Sequence, residues 1–147
     1  PMFPDAVRQL YLATLLPLAD LITPNLVETA VLLQTSSVDS PSRLRDAATQ
    51  LHKIGAKHVL IKGFRDGTDI IDTLFDGMQF TEFRQPLIAT ENTPGAGDTL
   101  SAAICAFLAK GDDMETAVAQ AQQYTHQAIQ RAANWQLGGG HGPLAHF

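Results

Sequence analysis

The run Asn92-Thr93-Pro94-Gly95-Ala96-Gly97-Asp98-Thr99-Leu100-Ser101 sets two glycines one residue apart and places an acid directly after them. It stands at the mouth of a stretch that reads as a helix. Bare amide N–H groups at a helix start attract phosphate oxygens. Glycines there permit backbone angles closed to other residues and let a ligand approach. A carboxylate beside such a cradle can take a proton from an attacking hydroxyl. Together these features point to phosphoryl transfer. The same residues also suit an ordinary glycine turn with Asp98 as a helix N-cap, and spacing alone does not choose between the two.

The elements around this run alternate as in an α/β protein. Leu100, Ala103, Ile104, Phe107 and Leu108 recur at helical spacing and Gly111 ends the stretch. Val7, Leu10, Tyr11, Thr14 and Leu15 predict a helix stopped by Pro17. Asp20 to Thr23 reads as a short strand, and Asn25 opens a helix to about Gln34. Ser40-Pro41 starts another, with Leu44, Ala47, Ala48 and Leu51 on one face and Gly55 at its end. Val59-Leu60-Ile61 reads as a buried strand ended by Lys62. Asp76-Gly77 is a two-residue hairpin signal between Thr68 to Phe75 and Met78 to Phe83. Asp112 and Glu115 form a capping pattern for a last helix that turns Met114, Ala117, Val118, Ala121, Thr125, Ala128 and Ile129 inward.

Four segments, taken in order, resemble one family. They are Leu21-Ile22-Thr23-Pro24-Asn25-Leu26-Val27-Glu28, Val59-Leu60-Ile61-Lys62-Gly63, the run from Asn92, and Gly138-Gly139-Gly140-His141-Gly142-Pro143-Leu144. The run from Asn92 is similar to the anion-hole motif of the ribokinase superfamily of ATP-dependent small-molecule kinases. The whole set resembles hydroxymethylpyrimidine (phosphate) kinases of thiamine synthesis, from about Leu16 to Phe147. The resemblance implies a ribokinase-like three-layer α/β/α fold with a mostly parallel sheet, of which this chain is the C-terminal portion, read as a single domain over 1–147. It implies ATP and Mg²⁺ as cofactors and a small pyrimidine as substrate. It makes Gly95, Ala96 and Gly97 the anion hole and Asp98 the base. Lys62, Gly63 and Thr93 join Gly95 and Gly97 at the nucleotide, and Asn25 and Glu28 organise magnesium. Locally, Asn25 and Glu28 also read as a capping box, and the two roles are compatible.

Departures from the family pattern carry information. Phe64 stands where the family has the second glycine of Lys-Gly-Gly. The family commonly shows His-Gly-Thr-Gly-Cys where this chain has Pro94-Gly95-Ala96-Gly97-Asp98. A phosphate acceptor, with a second pKa near ~6, is largely ionised at neutral pH and needs little help from a base. An alcohol acceptor gains by ~10²–10⁴-fold from one. Asp98 therefore hints at phosphorylation of the hydroxymethyl group itself. Pyridoxal or pyridoxine kinases of the superfamily also carry an aspartate, so a B6-type acceptor stays open. The His141 segment favours the thiamine pyrimidine and is expected to pack as a loop near the nucleotide side.

Composition narrows the classes. The chain has 147 residues, 45% hydrophobic and 17% charged, which fits a packed domain rather than a disordered segment. A net charge of −5 argues against nucleic acid as the main partner. The apolar runs are too short to span a membrane. Cys105 is the single cysteine, expected as a small core residue in a cytoplasmic setting. Spacings of His52, His58, His126, His141 and His146 match no zinc pattern. A dinucleotide fold fits poorly, because Leu100 stands where Gly-x-Gly-x-x-Gly requires its third glycine. A non-catalytic fragment that keeps the kinase fold is the other rival. Family members are considerably longer on the N-terminal side, so an exposed sheet edge is expected. A break before Pro1, a separate N-terminal piece or a homodimer would account for it, with the break favoured.

Overall fold

The computed structural model describes residues 4–147, which form two compact units, 4–84 and 85–147. The first unit opens with α1 (Asp5–Leu10), which continues through a π-helical turn over Tyr11–Leu15 and a 3₁₀ turn over Leu16–Leu18. Pro17 sits inside that last turn and ends the helical path as expected. Next come β1 (Leu21–Ile22), α2 (Leu26–Leu33), α3 (Pro41–Ile54), β2 (His58–Asp66), β3 (Asp69–Phe75) and β4 (Phe80–Pro86).

The sheet order is β1-β2-β3-β4. β1 runs parallel to β2, and β2 runs antiparallel to β3. The α/β class is therefore present with a mixed sheet, whose parallel part in these residues is the β1–β2 pair. Val59, Leu60 and Ile61 are fully buried at its centre. α3 lays its predicted face on that core, with Leu44, Ala47, Ala48 and Leu51 all buried. Ser40 Oγ accepts from the Arg43 N–H at its start, and Gly55 closes it at φ 141°.

One strand end and one hairpin turn differ from the sequence reading. β2 does not stop at Lys62. It continues to Asp66 through an irregularity between Ile61 and Phe64, where Gly63 adopts φ 82°. A Gly67-Thr68 loop, with Gly67 at φ 59°, then turns the chain into β3, with Asp66 opposite Asp69. At the next turn the positive φ of 96° falls on Gly77, and the Asp76 N–H donates to the Gln79 carbonyl at 3.3 Å. The two loop residues are Gly77-Met78, one later than the expected Asp76-Gly77, with glycine first as a type II′ turn requires. Asp76 serves instead as the bracket, its carboxylate accepting from the Met78 and Gln79 amides at 2.7 Å. A Cβ on Gly77 would lie 2.6 Å from His52 Cε1. That ring is held edge-on against Phe75 and by the Ala56 carbonyl. Gly77→Ala is expected to lower unfolding stability by about 1–3 kcal/mol in urea denaturation. An unchanged midpoint would contradict the close contact.

The second unit carries α4 (Ala96–Ala109) and α5 (Met114–Ala132). α5 buries Ala117, Val118, Ala121, Thr125 and Ala128 as read, together with Gln122 and Ala132, while Met114 and Ile129 are half-buried. Its cap is Asp113, not Asp112. The Thr116 amide and hydroxyl both donate to the Asp113 carboxylate, at 2.8 and 2.9 Å. The Thr116 amide above all, then its hydroxyl, holds the Asp113 carboxyl below the usual carboxylate range. The stabilisation is therefore complete above the unfolded pKa of about 3.9 and is lost as pH falls through the lower folded value. Asp113→Ala is expected to melt below the parent protein at neutral pH, with the gap closing in acid. A gap that persists well below the carboxylate range would contradict this cap. Cys105 is exposed rather than a core residue.

Candidate phosphoryl-transfer site

The run from Asn92 folds into a tight turn and then into α4. The Ala96 N–H donates to the Thr93 carbonyl at 3.0 Å, and Gly95 sits at φ 84°, ψ −3°. Proline followed by a left-handed glycine is the pattern of a type II turn. Gly95 is the N-cap of α4, and no side chain caps the helix. Asp98 is therefore the third helical residue, which removes the reading of Asp98 as the N-cap. The amides of Gly97 and Asp98 fall in the first turn, where N–H groups have no intrahelical acceptor. A Cβ built on Gly95 would meet nothing within 4 Å. Glycine is required there by the backbone conformation, and the space over the turn is open. Ser101 Oγ donates back to the Gly97 carbonyl at 3.0 Å.

Thr93, Gly95 and Asp98 are exposed, and Ala96 and Gly97 are half-exposed. Asp98 and Thr99 open onto a cleft of about 520 Å³ that Ala103, Phe107, Tyr124 and His146 also line. A carboxylate at the third position of a helix faces the positive end of the helix dipole. Thr93, Gly95, Ala96, Gly97 and Asp98 are thus gathered on one turn, with donors and an acceptor side by side.

In the first unit, Asn25 and Glu28 form the capping box of α2. Asn25 Oδ1 accepts from the Glu28 N–H and Glu28 Oε2 accepts from the Asn25 N–H, both at 2.8 Å. The box uses one oxygen of each side chain. Glu28 also lines a cleft of about 280 Å³ with Arg8, Tyr11 and Thr23. Asn25 pairs with Lys62 as a parallel bridge, and the Lys62 N–H donates to the Pro24 carbonyl at 3.0 Å. Asn25 and Lys62 are therefore partners just beyond the β1–β2 pairing, with Gly63 next in β2 and Glu28 in the first turn of α2. Among the described residues no group of three or more His, Cys, Asp or Glu side chains could hold a metal by itself.

Two supporting residues escaped the sequence reading. Asp72 is buried on β3, and its Oδ1 accepts from the Gly63 N–H at 2.8 Å, which pins the irregularity beside Lys62. Its signal was an acid in the apolar interior of a strand, Ile70-Ile71-Asp72-Thr73-Leu74-Phe75. Asn92 is also buried, and its side chain joins three segments of the second unit. No helix among the described residues is long and apolar enough to cross a membrane.

Comparison with known proteins bears on the family and the fold. A family model described as phosphomethylpyrimidine kinase matches residues 1–145. The hydroxymethylpyrimidine/phosphomethylpyrimidine kinase of Rhizobium meliloti is 40% identical over 145 residues, which cover 98% of this chain and 54% of that protein. The thiamine biosynthetic bifunctional enzyme TH1, chloroplastic, of Arabidopsis thaliana is 40% identical over 146 residues, covering 97% of this chain and 28% of that protein. The crystal structure of an ADP complex of Bacillus subtilis pyridoxal kinase superposes with a TM-score of 0.90 at 33% identity, covering 99% of this chain and 56% of that one. The chain thus spans about half the length of the single-function kinases it matches, and less of the bifunctional enzyme. With the family model matched over 1–145 and an uncapped glycine turn carrying Asp98, the chain belongs to the phosphomethylpyrimidine kinase family.

Proposed function

We propose that the protein transfers a phosphoryl group from ATP to hydroxymethylpyrimidine, to its monophosphate, or to both. The observation that carries this reading is the start of α4. An uncapped helix N-terminus with an exposed acid at its third position lies within a chain of this family. The amides of the Gly95–Gly97 turn stabilise charge on the transferring group, because fixed dipoles need no reorganisation as that charge develops. Asp98 accepts or orients the proton of the attacking hydroxyl. Thr93 offers a hydroxyl to a phosphate oxygen, and Lys62 with Gly63 meets the nucleotide phosphates as a mobile point charge.

The donor set fits magnesium bound largely through phosphate oxygens and water, which is how that ion is commonly held. Asn25 and Glu28 are the residues that would hold its waters. When bound, the ion neutralises phosphate charge. The ADP complex of the similar pyridoxal kinase supports nucleotide binding. It also keeps a B6 vitamer as the second acceptor to test.

The reading extends to a cytoplasmic homodimer. Exposed Leu10, Leu15 and Leu18 support a covered face, and a monomeric mass in light scattering would remove it. The substrate test is an ADP-coupled assay on the native protein with hydroxymethylpyrimidine, its monophosphate and pyridoxal. Turnover is expected on the pyrimidines. Turnover on pyridoxal alone would move the assignment to B6, and none with any acceptor would overturn it.

A further inference from the structure

We propose that Asn92 is a positioning residue for the anion hole, and that it fastens the glycine turn to the end of α5 and to the glycine-rich tail at a single buried point. The inference rests on the kinase reading of the 95–98 turn.

Asn92 stands two residues before the Pro94-Gly95 turn and is 6% exposed. Its Nδ2 donates to the Ala132 carbonyl at 2.8 Å and to the Trp135 carbonyl at 2.9 Å. Its Oδ1 accepts from the Gly142 N–H at 2.6 Å. Both amide hydrogens and one oxygen lone pair are therefore used, each by main-chain groups 40 to 50 residues away. Ala132 ends α5, where carbonyls have no intrahelical donor. Thr90 adds a second tie to the same place, donating to the Ala133 carbonyl at 2.9 Å and accepting from the Asn92 N–H at 3.1 Å.

The tail is shaped to this side chain. A Cβ on Gly142 would lie 2.9 Å from Asn92 Oδ1, 3.0 Å from Cγ and 3.1 Å from Nδ2. Further along, the Ala145 N–H donates to the Ala128 carbonyl at 3.2 Å, and Leu144 and Ala145 are buried. The glycine at 142 answers a close approach. Those at 138, 139 and 140 face open space. The tail motif thus has a physical role at one position: it carries the backbone donor that completes Asn92.

The consequence concerns the hole rather than stability alone. From Asn92 the chain reaches the free Gly97 and Asp98 amides within five to six residues, and Gly95 between them has no side chain to anchor the turn. Other chemistries at position 92 cannot replace the amide. Alanine takes the partner from the buried Gly142 N–H and the donor from the Trp135 carbonyl, while the Ala132 carbonyl keeps only the Trp135 N–H at 2.9 Å. Aspartate sets a carboxylate against the Ala132 and Trp135 carbonyls, where only donors fit.

The test measures kcat and KM per folded molecule, well below the melting temperature, on the pyrimidine that the native protein phosphorylates. Asn92→Ala is expected to lower kcat by about tenfold to a hundredfold, the scale of a small misplacement of catalytic groups, with KM changed less than threefold. Gly142→Ala, which displaces Asn92 from the tail side and leaves its side chain present, is expected to show the same split. Val118→Ala on buried α5 is the stability control, expected to melt lower at unchanged kcat. Parental kcat in folded Asn92→Ala, or in Gly142→Ala should Asn92→Ala not fold, would overturn the inference. Absence of turnover in the native protein would instead strike the kinase reading. Hydrogen exchange then still reads the tie, since faster exchange over residues 93–98 in Gly142→Ala supports it and parental exchange there overturns it.

Discussion

Asp98→Asn lowers turnover on an alcohol acceptor by about 10²–10⁴-fold, the range supplied by a positioned base, and leaves nucleotide affinity within a few-fold. The side chain is exposed, and among the described residues no hydrogen bond or ion pair engages it. The amide isostere therefore breaks no structural contact. Removing a charge from the first turn of α4 weakens its interaction with the helix dipole by about 0.3–1 kcal/mol, too little to unfold the protein. A kinetic loss at constant nucleotide affinity identifies a group used in the transition state rather than in binding. The acceptor sharpens the test. On a monophosphate acceptor, whose second pKa is near ~6, the nucleophile is already ionised and the loss should be much smaller. Equal losses on both acceptors would make Asp98 an electrostatic or positioning group. Parental turnover on the alcohol would remove it from the chemistry.

Gly95 is expected to rank its replacements by backbone conformation rather than by size. At φ 84° and ψ −3°, with open space where a Cβ would go, the demand at this position is conformational and not steric against neighbours. An L-residue in that region is strained by roughly 1–2 kcal/mol, and asparagine tolerates it better than alanine, with β-branched residues worst. Relief of the strain by rotation of the turn would swing the free Gly97 and Asp98 amides away from the phosphoryl group. Loss of one such donor commonly lowers kcat by about 10²–10³-fold. The expected order of kcat is Gly, then Asn, then Ala, then Val, with melting temperatures following the same order over a narrower span. If Val and Asn replacements proved equally active, the turn conformation would not be what presents the donors.

Much of this was legible where the signals are local. Ser40-Pro41 and Gly55 bound α3 because a hydroxyl cap, a ring-fixed φ and a left-handed glycine act within a few residues of themselves. The same holds for Asn25 and Glu28, whose capping box is written in four consecutive residues. Signals that depend on distant partners were not legible. Beyond Ile61 the residues Lys62-Gly63-Phe64-Arg65-Asp66 carry no alternating pattern, yet β2 continues because β3 pairs with it and Asp72 satisfies the Gly63 amide. Asn92 resembles any turn residue until the carbonyls of Ala132 and Trp135 and the amide of Gly142 come into place. Cys105 misled because α4 is apolar nearly all round, so that periodicity does not separate its buried Leu100 and Ile104 from its open side. The shift from Asp112 to Asp113 at the start of α5 has a simpler cause. Two adjacent aspartates compete for one cap, and Thr116 supplies two donors to the second.

In the proposed function the turn at 95–98 serves transfer of the γ-phosphoryl group of ATP to a thiamine-type pyrimidine. Mass spectrometry of the products formed by the native protein from ATP and hydroxymethylpyrimidine tests it most directly. One ADP is expected for each phosphoryl group gained by the pyrimidine, with the Asp98→Asn protein forming the first phosphorylated product far more slowly. ADP accumulating with no phosphorylated pyrimidine, or product formed at the parental rate without the Asp98 carboxylate, would contradict it.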